Sequence, residues 1–419
     1  MEDTIIVGID VGTKKVCTLV ARAEGRHRYH ILGVGIEPAK GLRKGAVVDL
    51  GQATRSIRRS IDKAQRTSGM EITAAFVNLA DVYAKSTNNR GVVGVSGKMI
   101  EQADIDRALE AARAVQLDHN AEIVHVIQRG FTVDGNDGIR TPIGLYGYRM
   151  EVEAHIISAE ASAVENLSQA VSNNGVQVLN YVLNPLASGE AVLSETERQM
   201  GCIICDIGAG TTDIAIYIDG DVWYSKVLPI GGDHITSDIA AGLRLANEDA
   251  ETLKIDSGFA IKDAINPDEA VLVHAFGQEE PEQVSRQTLC HIIEARTEEI
   301  FYMVLQEIKR SGYDGLLPAG MILTGGTSQL PGIQELAHNI MDIPVRIAQP
   351  ENIYGLADQL HSPAYSGSVG LLHWAMLYLE AEHNRRSGGT KRRERSQESN
   401  TQPKNIKDIL REILRQLLP

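Results

Sequence analysis

Apolar residues come in short bursts at the start of the chain. Ile5 to Asp10, Val16 to Ala21 and His30 to Glu37 are runs of strand length separated by turn residues, and Val11 to Lys15 reads as a glycine hairpin, so the opening is a β-meander. Over residues 53–68 the period lengthens, with Ile57, Ile61 and Ala64 on one side of a helix and Arg and Lys on the other. The opening pattern then returns: Ile203 to Asp206 leads through a Gly208-Ala209-Gly210-Thr211-Thr212 turn into Asp213 to Tyr217. Two strand, Asp-x-Gly, Thr, strand units about 196 residues apart predict a duplicated α/β domain pair facing one cleft. Between them, residues 84–162 alternate strands with one helix at Ala103 to Val115, as expected of an inserted lobe. Helical segments near 233–253 and 285–311 follow, then an apolar strand entering the glycine turn Met321 to Thr327, and a buried helix from Val369 to Leu379.

The end of the chain changes character. Residues 381–403 are polar and rich in Arg and Ser, the composition of a flexible basic linker. From Lys404 onward Ile406, Ile409, Leu410, Ile413, Leu414, Leu417 and Leu418 share one helical face, while Lys404, Lys407, Arg411 and Arg415 lie on the other. That is the pattern of an in-plane membrane anchor, with a coiled-coil or groove-binding helix as the alternative use of the same spacing. Burying seven aliphatic side chains contributes on the order of 10 kcal/mol. Ordering about 14 residues costs a comparable amount, so one copy binds reversibly and stable attachment needs many copies.

Charge supports that division of labour. The net charge is −14, yet Ala381 to Pro419 carries ten Lys/Arg against five Asp/Glu, so the acidic excess lies in the body. An acidic body with 5% aromatic residues argues against nucleic acid as a partner. The first residues lack a basic, cleavable apolar leader and no run of about 18 apolar residues occurs, which predicts a cytosolic chain that does not span a membrane. Cys202 and Cys205 have a CxxC spacing but sit in an apolar strand, where residues three apart point to opposite faces. They read as inert core thiols, and His125, His155, His291 and His373 read as packing residues.

The two Asp-x-Gly turns carry the chemistry. Each places a carboxylate at a strand end beside a bend where glycine lets backbone N–H groups approach an anion. Amides of Gly12, Thr13 and Lys14, and of Gly210, Thr211 and Thr212, are expected to cradle a phosphate chain from two sides, with Asp10 and Asp206 holding hydrated Mg²⁺.

These residues resemble the motifs of the actin, sugar-kinase and Hsp70 ATPase superfamily, which implies duplicated ribonuclease H-like domains closing over ATP. The first phosphate motif is matched by Gly8-Ile9-Asp10-Val11-Gly12-Thr13-Lys14-Lys15, the second by Asp206 through Gly208, Gly210, Thr211 and Thr212 to Asp213. The adenosine motif is matched by Leu323-Thr324-Gly325-Gly326-Thr327 through Leu330-Pro331-Gly332, and the hinges by Asn184 to Gly189 and Tyr365 to Leu372. Glu251 and Lys254 fit the helix that contacts adenine and ribose, and Gly231 and Gly232 complete the implied ATP contacts. Asp206 or Asn184 would orient an attacking water if ATP is hydrolysed, with slow turnover expected.

Within the superfamily the chain resembles the FtsA family of bacterial division proteins over essentially its full length. The match rests on Gly138 to Met150 with His155, on Gly41 to Asp49, and on Ser285 to Glu299, where Ala295 replaces a usual proline, a change that would bear on how the helix starts. The resemblance implies a first core from 1–83, 163–196 and 361–380, a lobe at 84–162, and a second core from 197–230 and 301–360 with a helical subdomain at 231–300. It further implies assembly into actin-like filaments, recruitment of later division proteins, and tethering of the tubulin-like FtsZ to the anionic inner face of the cytoplasmic membrane at the septum. Arg286, Arg296 and Glu299 are the expected surface for the C-terminal peptide of FtsZ. The runner-up is a small-molecule kinase of the same superfamily; an Hsp70-like chaperone fails because too few residues follow 380 to form its peptide-binding domain.

Overall fold

A computed structural model describes residues 4–25, 28–277 and 280–393. Two sheets share one construction. In the first, the antiparallel strands Ile5–Val11, Lys15–Ala23 and Tyr29–Pro38 run outward from one side of Ile5–Val11, and the parallel strands Ala74–Leu79 and Gln177–Leu183 extend from its other side. In the second, Cys202–Ile207, Thr212–Ile218 and Asp221–Leu228 form the antiparallel part, and Met321–Thr324 and Val345–Ile347 the parallel part. The shared strand order is what a duplication produces. The first sheet alone gains a sixth strand, Ile353–Gly355, at its edge.

Helix Leu50–Ser68 covers one face of the first sheet. Asp49 caps it by accepting the Gln52 N–H at 2.9 Å, Gly69 closes it in the left-handed region, and Ile57, Ile61 and Ala64 are buried against the strands. Cys205 packs with Ile203 and Ile207 on one face of the second sheet and Cys202 with Ile204 on the other, as strand alternation requires.

Strands Lys85–Met99, Ala121–Val133, Asn136–Ile139 and Tyr146–Glu160 form a separate four-stranded sheet with helix Gln102–Ala112 and their own core. This lobe also touches the second half of the molecule. His155 Nδ1 lies 2.7 Å from Asn88 Oδ1 and its Nε2 3.2 Å from Ser225 Oγ, and the Arg129 guanidinium stacks 3.5 Å over the Trp223 ring.

Three expectations are corrected here. The segment 381–403 is not a linker throughout, because helix Ser366–Arg393 runs on through residue 393. Once a helix is nucleated, adding residues is cheap, and no proline intervenes before Pro403; residues 394–403 lie outside the described residues. His291 is exposed on helix Arg286–Ser311, whereas His125, His155 and His373 are buried. Ala295 stands ten residues into a helix that begins at Arg286, so it has no bearing on the helix start. The segment near 233–253 is two helices, Gly232–Leu243 and Asn247–Ser257, broken where Arg244 adopts φ 56°.

No helix among the described residues is long and apolar enough to cross a membrane. The amphipathic segment 404–419, with Ile406, Lys407, Ile409, Leu410, Arg411, Ile413, Leu414, Arg415, Leu417 and Leu418, lies outside them.

Candidate functional site

The two Asp-x-Gly turns meet at the mouth of one cleft. They are locally alike: the Gly12 N–H donates to the Lys15 carbonyl at 2.9 Å, and the Gly208 N–H to the Thr211 carbonyl at 2.9 Å. At Gly210 a Cβ would lie 2.5 Å from Thr13 Oγ1 and 3.0 Å from Lys44 Cα, so only glycine lets the second turn touch the first half this closely. Lys14 Nζ spans the cleft to Asp233 Oδ1 at 3.1 Å. Behind this contact lies a cavity of about 430 Å³.

Three carboxylates converge at its floor, all nearly buried. Asp10 accepts from Asn78 Nδ2 at 2.7 Å and from the Ser368 hydroxyl. Asp206 accepts from the Ser188 hydroxyl and from Asn184 Nδ2 at 3.2 Å. Asp213, directly opposite Asp206 across the strand pair, accepts from Asn184 Nδ2 at 2.7 Å and Thr211 Oγ1 at 3.2 Å, leaving its Oδ1 buried without a partner. Burial pushes the Asp206 carboxyl up to about 6, against the pull of the Ser188 hydroxyl and the Lys15 charge. Burial, then the neighbouring Asp206 charge, pushes Asp213 up to about 8. Crowded carboxylates with an orphaned oxygen, facing two lysines and glycine-turn amides, suit a divalent cation carried by a polyanion.

The far end of the cavity is built differently. Lys254 Nζ lies 2.9 Å from Glu251 Oε2 and 2.9 Å from Thr236 Oγ1, a partly buried pair on the cavity wall. Gly325 has φ 87° and sits where a Cβ would strike Asp206 Oδ1 at 2.3 Å, and Thr327 Oγ1 donates to the Gly208 carbonyl at 2.9 Å. The third glycine turn thus packs directly on the second.

Of the residues read as phosphate, cation and nucleoside contacts, Asp10, Gly12, Thr13, Lys14, Lys15, Asn184, Asp206, Gly208, Gly210, Thr211, Asp213, Gly232, Glu251, Lys254, Gly325, Gly326 and Thr327 all line this cavity. Two do not. Thr212 is a fully buried strand residue whose hydroxyl bonds the Ile230 carbonyl at 2.8 Å, because strand alternation turns it away from Thr211. Gly231 packs behind the second turn, where a Cβ would meet the Gly208 and Ala209 carbonyl oxygens at 2.7 Å. Asn78, Ser188 and Ser368 hold the carboxylates; the two serines read from the chain only as members of the hinge segments, and nothing in the chain points to Asn78.

The expected peptide surface lies elsewhere, on helix Arg286–Ser311. Arg286 pairs with Glu269, and Arg296 pairs with both Asp238 and Glu299.

Residues 203–370 match the family model described as cell division protein FtsA, and residues 82–158 match the SHS2 domain inserted in FtsA. The cell division protein FtsA of Pseudomonas aeruginosa is 38% identical over 372 residues, covering 89% of each chain, and that of Escherichia coli strain K12 is 35% identical over 392 residues, covering 91% of this chain and 93% of its own. Among solved structures, the PilM-PilN type IV pilus biogenesis complex aligns with a TM-score of 0.62 at 16% identity over 87% of this chain and 97% of that one. MreB5 of Spiroplasma citri bound to AMPPNP aligns with a TM-score of 0.57 at 13% identity over 92% of this chain and 100% of that one. With this fold, the inserted lobe and these identities over most of its length, the chain belongs to the FtsA family and is an actin-like cell-division protein.

Proposed function

We propose that the cleft binds ATP with Mg²⁺ and that the protein is an actin-like adaptor that polymerises and tethers FtsZ to the cytoplasmic membrane at the division septum. The observation that carries this reading is the pair of equivalent Asp-x-Gly turns closing on one cavity with a third glycine turn behind them. The turn amides, Lys14 and Lys15 face the phosphates, Asp10 and Asp206 hold the hydrated cation, and Glu251, Lys254, Gly325 and Gly326 flank the nucleoside. Mg²⁺, when bound, neutralises phosphate charge.

Nucleotide seated between the turns favours the closed cleft and so the polymer. Asn184 has both amide hydrogens committed to Asp206 and Asp213, which leaves Asp206 as the group to orient water if ATP is hydrolysed, and slow turnover is the expected outcome. Later division proteins join the assembled polymer. The basic amphipathic segment from Lys404 supplies the membrane contact, weak in one copy and multiplied by polymerisation.

Flotation with anionic vesicles in ATP and Mg²⁺ tests this. The full chain should float several-fold more than a chain ended at Pro403, and more steeply as protein concentration rises. If both or neither float, the tether is refuted and the phosphotransferase reading of the cleft gains. FtsZ peptide binding is a separate prediction: Arg296→Glu breaks the contacts to Asp238 and Glu299 and should weaken it about tenfold or more. Unchanged affinity by fluorescence anisotropy would move the docking surface off this helix.

A further inference from the structure

Asn78 lies on strand Ala74–Leu79, is 3% exposed, and touches Val11, Asp10 and Asn184 at the cleft floor. Its Oδ1 is 2.6 Å from the Val11 backbone nitrogen. That N–H can only donate, so the amide oxygen of Asn78 must face it and the amide nitrogen must face the other way. On that side the nitrogen meets Asp10 Oδ1 at 2.7 Å and Asn184 Oδ1 at 3.4 Å. The same logic then passes to Asn184. With its oxygen turned to Asn78, its nitrogen donates to Asp213 Oδ2 at 2.7 Å and Asp206 Oδ2 at 3.2 Å. Reversing either amide would set oxygen against oxygen at a buried site. Gly367 closes the remaining side, since a Cβ there would lie 2.7 Å from Asn184 Oδ1.

We propose that Asn78 is a positioning residue of this cleft: by accepting the Val11 N–H it sets the direction of its own amide, turns a donor toward the Asn184 oxygen, and thereby joins Asp10 in one half of the molecule, through Asn184, to Asp206 and Asp213 in the other. The relay has a fixed sense, from a backbone donor through two side-chain amides to two carboxylates. It runs across the hinge, because Asn184 opens the helix Asn184–Val192 that connects the halves. Displacement of the first turn is therefore felt at the second without any direct contact between Asp10 and Asp206. Only the nucleotide arm of the test below rests on the ATP reading.

The test is Asn78→Asp, nearly isosteric but without the two amide donors, in the full chain without nucleotide, followed by amide hydrogen exchange. Exchange should rise about tenfold or more both in the peptide holding Val11 and in the peptide spanning Asp206 to Asp213. An increase confined to the Val11 peptide would assign Asn78 a local packing role and overturn the proposal. Should N78D fail to fold, Asn184→Ala supplies the reciprocal reading: faster exchange at Val11 supports the relay, and unchanged exchange there overturns it. In the second arm, a fluorescent ATP analogue with Mg²⁺ should bind N78D about tenfold more weakly than the unsubstituted chain. If the unsubstituted chain itself does not bind the analogue, the nucleotide reading fails, while the exchange results still decide the role of Asn78.

Discussion

Alanine at Gly370 is expected to destabilise the protein by about 3 kcal/mol or more. Helix Ser366–Arg393 crosses helix Asn184–Val192 so closely that a Cβ at Gly370 would fall 1.7 Å from the Ala187 carbonyl oxygen. The obstacle is backbone, which no rotamer change removes. Alanine is intrinsically better in a helix by about 1 kcal/mol, and that gain is too small to offset forced separation of two packed helices. The crossing also holds Ser188 and Ser368, whose hydroxyls bond Asp206 and Asp10, so pushing the helices apart strips a donor from each carboxylate. Denaturant unfolding of Gly370→Ala beside the unsubstituted chain is the measurement. An unchanged midpoint would show that the crossing relaxes freely and is no tight hinge.

Acid should loosen the seam between the inserted lobe and the second half. His155 is buried between Asn88 and Ser225, and burial, then the nearby Arg129 charge, then His125 hold its pKa down at about 3. His125, which packs the lobe against Leu183 and Trp374 of the first half and not in this seam, is held at about 4 by burial alone. A histidine whose folded pKa lies below its unfolded value of about 6.5 keeps its full contribution above that value and loses it as pH falls toward the folded pKa. At pH 5 each of the two therefore contributes about 2 kcal/mol less than at pH 7.5. Asp206 and Asp213 act in the opposite sense. Their raised pKa values mean stability present in acid and lost as pH rises toward about 6 and about 8, so the bulk pH profile mixes both effects. Comparison with His155→Gln isolates the histidine: the stability advantage of the unsubstituted chain should shrink by about 2 kcal/mol between pH 7.5 and pH 5. An advantage equal at both pH values would show that His155 is not held neutral by the seam.

Much of the site was legible because its signals are local. Asp10 and Asp206 end strands whose apolar runs are written in consecutive residues, and the glycines after them shape turns within four positions. The repeat of that unit points to two equivalent halves without reference to strand order. Of the side chains that hold the carboxylates, Asn184 and Thr211 were legible, but the parts played by Asn78 and the hinge serines were not: Asn78 reaches Val11 across 67 positions and Ser368 reaches Asp10 across 358, distances over which no periodicity speaks. The side chain of Thr212 was illegible for a related reason. Its neighbour Thr211 faces the cavity, and only the alternation of the formed strand shows that Thr212 faces the core.

The chain by itself therefore determined the duplicated Asp-x-Gly units, the inserted lobe and the acidic body with its basic end, since each follows from the type and spacing of neighbouring residues. Tertiary structure decided which amides and hydroxyls orient Asp10, Asp206 and Asp213, how closely the hinge helices cross at Gly370, and that His155 seals the lobe against Ser225. Those outcomes depend on burial and on contacts between distant segments, which exist only once the two sheets and the lobe have packed.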